Sequence, residues 1–321
     1  MNAWYFAKNY ARNAFPSWYF NRNYKRLKRF EKVCDQNELA LRLQYYFKVD
    51  RNFTVPISAI AVKNFKKTIG TGYFLDLKEF LHYFTSITRF AYHFGDETHI
   101  NSYPTLFKAR PIQGENANSI LFKLNKRRHF KWVKDPYSFA EKKDKLVWRG
   151  GAYKYHKERI AFVKKFHNHS LCDVGQTNTV SENNPWQKEF MSIKNHLKFK
   201  FIFCIEGNDV ATNLKWVMSS NSLCIMPKPT YETWFMEGVL KDGVHYVEVK
   251  KDFSDLEEKI KYYTIHIKEA EKIIENAHAH VARFKNQDLE DLLCLKVLEK
   301  YASLSGQTNA RKFYLGDNET P

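Results

Sequence analysis

The pattern of apolar and polar positions becomes regular from about Lys145 onward. Short apolar runs recur there with the length of buried strands: Lys145–Trp148, Leu171–Val174, Phe199–Ile205, Ser222–Met226 and His245–Val249. Between them, Glu158–Phe166, Ala211–Met218 and Tyr231–Leu240 carry the apolar spacing of helices. Ser254, with Glu257 three residues on, reads as a capping box that opens a further helix. Strands alternating with helices predict βαβ units and a mostly parallel sheet. In such sheets ligands bind outside the carboxyl ends of the strands. Gly150, Gly151, Gly175 and Gly207 stand at those ends.

Upstream the pattern is mixed. Val55–Val62 reads as a strand or buried segment and Leu75–Phe90 as a helix, with loops marked by Pro104, Pro111 and Gly114. The opening segment is distinctive. Lys8, Arg12, Arg22, Lys25, Arg26, Lys28, Arg29 and Lys32 are interleaved with Trp4, Tyr5, Phe6, Tyr10, Phe15, Trp18, Tyr19, Phe20, Tyr24 and Phe30, and Glu31 is the lone acid. Aromatic rings favour the lipid headgroup layer and cations favour anionic lipid, which makes a membrane-contact segment one reading. An aromatic helix packed on the core, with a solvated basic face, is the other.

Composition narrows the classes. Of 321 residues, 44% are hydrophobic, enough for a core. No run approaches the ~20 apolar residues of a membrane span. Charges break up Trp4–Phe20, so no secretory signal is expected there. Cys34, Cys172, Cys204, Cys224 and Cys294 are widely spaced without a CxxC pair. They read as buried thiols of a cytoplasmic protein, not as zinc ligands. A net charge of +17 favours an anionic partner: nucleic acid, acidic lipid or a phosphorylated substrate. Basic grooves with stacking rings bind single strands. No RRM, KH, zinc-finger or helix-turn-helix signature accompanies the charge, so nucleic acid is the alternative and not the leading expectation.

Three motifs carry chemistry. In Trp148-Arg149-Gly150-Gly151 a strand runs into two glycines, which lets backbone approach a phosphate, and Arg149 and Arg159 are candidate diphosphate ligands. An ordinary strand-to-helix turn with surface arginines fits the same residues. In Glu206–Trp216 a buried strand ends at Gly207 and polar residues open a helix, with Lys215 one turn inside. This suits an anion at a helix N-terminus, or simple capping by Asn208 or Asp209. In Pro229–Gly238, Glu232, together with His245 further on, can hydrogen-bond sugar or ribose hydroxyls. Trp234 and Phe235 form an aromatic wall or core packing.

The string KFIFCIEGNDVATNLKWVMSSNSLCIMPKPTYETWFMEG, followed by HYVEVKKDFSDLEEKI, resembles glycosyltransferase family 90. The likeness is strongest to its bacterial LpsA-like branch of lipopolysaccharide core transferases, and weaker to Rumi-type protein O-glucosyltransferases and fungal capsule-associated xylosyltransferases. It extends upstream through LVWRGG, Arg159 and CDVG to GDET, YPTLFKARPI and LNKRRHF, covering about residues 90–265.

The resemblance implies an α/β, GT-B-like fold of two Rossmann-type lobes facing a cleft, with C-terminal helices. The lobes would be residues 1–140 on the acceptor side and 141–265 on the UDP-sugar side, with 266–321 the helical region. It implies inverting, metal-independent transfer of a hexose, glucose or galactose, from a UDP-sugar to a saccharide, with a lipopolysaccharide core as acceptor. The enzyme would work in the cytoplasm, peripheral on the inner membrane and at an anionic surface. No metal or other cofactor is implied. The chain lacks the Asp-x-Asp pair by which metal-dependent transferases hold a divalent ion.

The implied donor-binding set is Arg149, Gly150, Gly151, Arg159, Asp173, Gly207, Asn208, Thr212, Asn213, Lys215 and Glu232. Asn213 departs from the family, where Rumi-type relatives carry an arginine. The family's catalytic base is an aspartate, and Asp96 in His93-Phe94-Gly95-Asp96 is the match, with Glu97 and His99 as fallbacks. Lys108, Arg110 and Arg128 are acceptor-side candidates, or part of a solvated basic face. A non-catalytic membrane-associated relative is the other outcome the resemblance allows.

Overall fold

A computed structural model of the chain describes residues 2–178 and 184–313. The chain divides into two compact units. One comprises Met1–Arg128, Tyr231–Met236 and Phe284–Pro321; the other comprises His129–Thr230 and Glu237–Arg283. The division therefore falls at Arg128 rather than near residue 140, and the segment 266–321 is shared out. Helix Ile267–Ala282 goes to the second unit and helix Gln287–Leu304 to the first. Residues 314–321 of that segment lie outside the described residues.

The second unit is built on five parallel strands: β1 (Lys143–Gly150), β2 (Cys172–Gln176), β3 (Phe199–Phe203), β4 (Leu223–Pro227) and β5 (Val247–Val249). Their order across the sheet is β5-β4-β3-β1-β2. Leu146 lies opposite Cys172 on one side and Phe201 on the other, Phe201 opposite Leu223, and Ile225 opposite Val247. All five positions of β3 are buried, as a central strand covered on both faces requires. Phe201 and Phe203 share an apolar cluster with Phe162, Val163 and Phe166 of the helix Lys157–Phe166. Phe162 stacks on Phe203, with centroids 4.1 Å apart.

The expected capping box at Ser254 does not form. The helix starts at Leu256 behind Asp255 with no side-chain cap, and the Ser254 amide donates to Asp252 Oδ1 at 3.0 Å.

The first unit is mainly helical. Helices Asn2–Ala11, Ser17–Val33, Gln36–Tyr46 and Thr71–Leu81 belong to it, together with Gln287–Leu304. That last helix is capped by the Asn286 side chain and buries Leu292, Leu293, Leu295, Val297, Leu298 and Tyr301. A second Rossmann-type sheet is not what the described residues of this unit form: their strands pair only in twos. The parallel pair Thr105–Phe107 and Ser119–Leu121, with a parallel bridge from Tyr92 to Leu106, is the nearest approach to one.

Two local expectations also change. Leu75–Phe90 is not one helix, because the helix ends at Leu81 and Arg89–Phe90 pairs with Ile60–Ala61, the only ladder in Val55–Val62. Thr85 N and Thr88 Oγ1 both donate to the Ala310 carbonyl, at 2.7 and 3.1 Å, and Thr88 N closes a turn on the Thr85 carbonyl at 3.1 Å. Tyr231–Leu240 is not helical either. Tyr231–Thr233 runs antiparallel to Ala109–Pro111, and only Glu237–Val239 forms a 3₁₀ turn. A distant strand partner outweighs local helical spacing here.

Candidate functional site

The second unit has its polar cluster where its topology puts one. Read from the other edge, the sheet order is 2-1-3-4-5, so the winding reverses between β1 and β3. A crevice opens outside the carboxyl ends of strands at such a reversal. β1 ends there in Gly150-Gly151, and the chain leaves β3 through Glu206-Gly207-Asn208. Arg159 joins the two ends. Its Nη1 donates to the Gly151 carbonyl at 3.0 Å, its Nε to Glu206 at 2.9 Å and its Nη2 to Ile205 at 3.0 Å. Gly207 permits this approach, because a Cβ there would lie 2.7 Å from Arg159 Nη2. Beside it His156 Nε2 meets Asn208 Oδ1 at 2.9 Å.

The remaining residues of the expected donor set are placed differently. Arg149 Nη2 pairs with Asp173 Oδ1 at 2.6 Å, and Lys188 reaches the same oxygen at 2.9 Å. Burial pushes the Asp173 carboxyl up, but the hydrogen bonds from Lys188 and Arg149 outweigh it and hold the group below its ordinary value. Arg149 and Asp173 therefore serve each other. Asn213 Nδ2 donates to the Phe203 carbonyl at 2.9 Å, tying the turn to β3. Thr212 is half-buried in that turn. The helix opens at Leu214 rather than Ala211 and is 5 residues long, so little helix dipole stands behind the turn. Lys215 is fully buried against Glu237 and does not point to solvent. Glu232 lies in the first unit, buried on Arg110 Nε at 2.7 Å with the Tyr45 hydroxyl on its other oxygen.

A narrow slot adjoins the turn, lined by Cys204, Glu206, Val210, Ala211, Met226 and Pro229 among others. Glu206 stands at it, accepting from the Thr230 amide at 3.0 Å and from the Thr230 hydroxyl.

In the first unit Asp96 is the centre of a second cluster. Its Oδ1 accepts from Tyr73 Oη at 2.9 Å and pairs with Lys108, while Arg128 Nη1 approaches Oδ2 at 3.3 Å. Burial pushes this carboxyl up. The Lys108 ammonium, seconded by Arg128 and Tyr73, brings it below its ordinary value, so it is an anion at neutral pH. Lys108 and Arg128 thus converge on Asp96. Arg110 does not. It is fully buried, and besides Glu232 it donates to the carbonyls of Tyr45 at 2.7 Å and Ser119 at 3.1 Å. Glu97 and His99 form an exposed pair at 3.4 Å.

The sequence profile of glycosyl transferase family 90 matches residues 122–312, which span β1 to β5 and the switch-point residues. The chain is also 42% identical over 308 residues to O-glucosyltransferase LpsA of Dichelobacter nodosus, covering 94% of this chain and 96% of that one. The chain belongs to glycosyltransferase family 90. More distant relatives of this transferase are protein O-glucosyltransferase 3 of Rattus norvegicus, 25% identical over 170 residues, and protein O-glucosyltransferase 2 of Danio rerio, 29% identical over 173 residues. Those matches cover 51% and 52% of this chain and 33% and 34% of the relatives.

Sequence reading of the transferase passed over Glu206, Thr230 and the loop rings Tyr153 and Tyr155. These rings stack with centroids 5.6 Å apart, and His156 is edge-on to both. Glu206 was visible as the first residue of the EGND string; its partner Thr230 was not, because only the fold brings the ends of β3 and β4 together.

Proposed function

We propose that the chain is an inverting, metal-independent hexosyltransferase. It moves glucose, or galactose, from a UDP-sugar to a saccharide acceptor of the lipopolysaccharide core type, at the cytoplasmic face of an anionic membrane. The reading rests on one observation above all: Gly151, Arg159 and Gly207 meet at the strand reversal of a 2-1-3-4-5 parallel sheet. Backbone amides beside an arginine at this place suit a diphosphate. The Glu206 carboxylate, beside the same crevice, is placed for ribose hydroxyls. Glucose is favoured because the relatives are named O-glucosyltransferases. A GT-B-like arrangement, with a Rossmann-type sheet among the described residues of one lobe only, belongs to the same proposal and is supported by the division into two units and the parallel sheet of one.

In this mechanism the diphosphate leaves from one face of the anomeric carbon. Asp96, already an anion, takes the proton of the acceptor hydroxyl as it attacks the opposite face. Positive groups and amides around the departing diphosphate stabilise the developing charge. The absence of an Asp-x-Asp pair favours doing this without a metal ion.

The deciding experiment is a thermal-shift screen of nucleotide sugars in the presence of EDTA. UDP-glucose or UDP-galactose should raise the melting temperature in a concentration-dependent way. No shift with any UDP-sugar, or a shift and turnover that appear only with manganese, would overturn the reading.

A further inference from the structure

The helix Asn2–Ala11 is amphipathic in the wrong sense for a helix that faces water alone. Its inward side is polar. Tyr5 Oη donates to Asp76 Oδ1 at 2.6 Å, and Asn9 is buried. Arg12, just past the helix end, pairs with Glu79 at 2.8 Å. Its outward side carries rings, with Trp4 74% and Tyr10 48% exposed. The next helix, Ser17–Val33, buries Phe20, Tyr24 and Leu27, yet Phe15 just before it and Trp18 in its first turn point out, 39% and 64% exposed. Trp4, Tyr10, Phe15 and Trp18 are four of the eight exposed aromatic residues among those described, the others being Tyr153, Tyr155, Phe190 and Tyr262. Half of the exposed rings therefore fall within one helical elbow. A surface meeting only water would place them inward.

We propose that this elbow is a docking surface for anionic phospholipid, with the Trp4 and Trp18 rings entering the headgroup layer. Rings with a polar edge sit stably at that depth. Lys8, Arg22, Arg29 and Lys32 are exposed on the same two helices, and cations near an anionic leaflet are attracted within a Debye length of it. The same charges disfavour a second copy as occupant, since a symmetric contact would bring like charges together. The proposal rests on the membrane part of the function proposed above and not on its chemistry.

Flotation of the full chain with vesicles tests it. At low salt, wild type should bind vesicles of phosphatidylglycerol mixed with phosphatidylcholine, and bind pure phosphatidylcholine far less. Trp4→Ser with Trp18→Ser should lower partitioning by about tenfold or more. Lys8→Gln with Arg22→Gln should weaken binding at low salt, with a smaller effect at high salt where charges are screened. Hydrolysis of UDP-glucose in solution should be unchanged in both variants.

Wild type that fails to bind, or a tryptophan pair that binds like wild type, sinks the proposal. So does self-association seen by light scattering that the tryptophan changes abolish, without vesicle binding; the face would then belong to a second copy. Vesicle binding by a protein that hydrolyses no UDP-sugar would support the surface while removing the transferase chemistry.

Discussion

In the first unit each buried arginine holds a carboxylate. Arg42 reaches Glu290 at 2.5 Å, and Glu290 also accepts from Lys123 at 2.7 Å and from Trp234 Nε1 at 2.8 Å. Arg110 ends on Glu232. In the second unit Arg159 instead reaches three backbone carbonyls at the ends of neighbouring strands. The contrast is one of what is joined. The carboxylate pairs join segments far apart in sequence: Gln36–Tyr46, Ala109–Pro111, Tyr231–Met236 and Gln287–Leu304. Each is part of what makes those segments one body. Arg159 ties together the ends of two neighbouring strands of one sheet and fixes the shape of a crevice. A net charge of +17 thus says little about how many cations are available to a ligand, because Arg42, Arg110 and Lys215 are used inside the protein.

The sharpest way to test this contrast is to change the carboxylate proposed as the base and compare it with carboxylates that hold structure. Asp96→Asn should lower transfer by about 100- to 10,000-fold while leaving UDP affinity unchanged by calorimetry. Turnover at the wild-type rate would end its role as base. Glu290→Ala leaves Arg42 and Lys123 without their buried anion and should cost about 5 kcal/mol in urea denaturation. A loss below about 1 kcal/mol would mean the network does not hold the unit together.

Lys215→Met strands Glu237 in the core and should cost about 3 kcal/mol, with UDP affinity of the folded fraction retained. Weakened UDP binding at unchanged stability would return Lys215 to the donor site. Gly207→Ala crowds Arg159 and should weaken UDP binding about tenfold, or about 1.4 kcal/mol, with a smaller change in melting temperature. Unchanged affinity would separate the clamp from the donor.

The smallest effect concerns pH. The Asp96 carboxyl is held below its ordinary value, so its anionic form persists as pH falls. The acid limb of the transfer profile should then lie below about pH 4, the usual aspartate value. The sign for stability is the same. A depressed carboxyl stabilises the fold above its unfolded value, and that contribution is lost as pH falls through the folded one. An acid limb near pH 6 would point to another base.

How much of this was legible in the sequence depended on the range of the interactions. The strands of the second unit were readable because period and length are local properties: Phe199–Ile205 announced β3, and the glycines marked its carboxyl-end loops. The family was readable because EGND and LVWRGG are contiguous strings. Asp96 was singled out by its place in such a string, whereas its pairing with Lys108 and Arg128 came only with the fold. The strand Tyr231–Thr233 was not readable, since its helical spacing is real and its partner is Ala109–Pro111.

By itself, then, the sequence determined the five parallel strands and the family. Only the tertiary structure decided which cations are used up inside. It assigned Lys215 and Arg110 to buried carboxylates, Arg159 to strand-end carbonyls, and Trp4 and Trp18 to the outside. The physical reason is that a charge or a ring carries no address in the chain. Its role is set by the group that packs against it, and that group is supplied by a segment that folding brings from elsewhere.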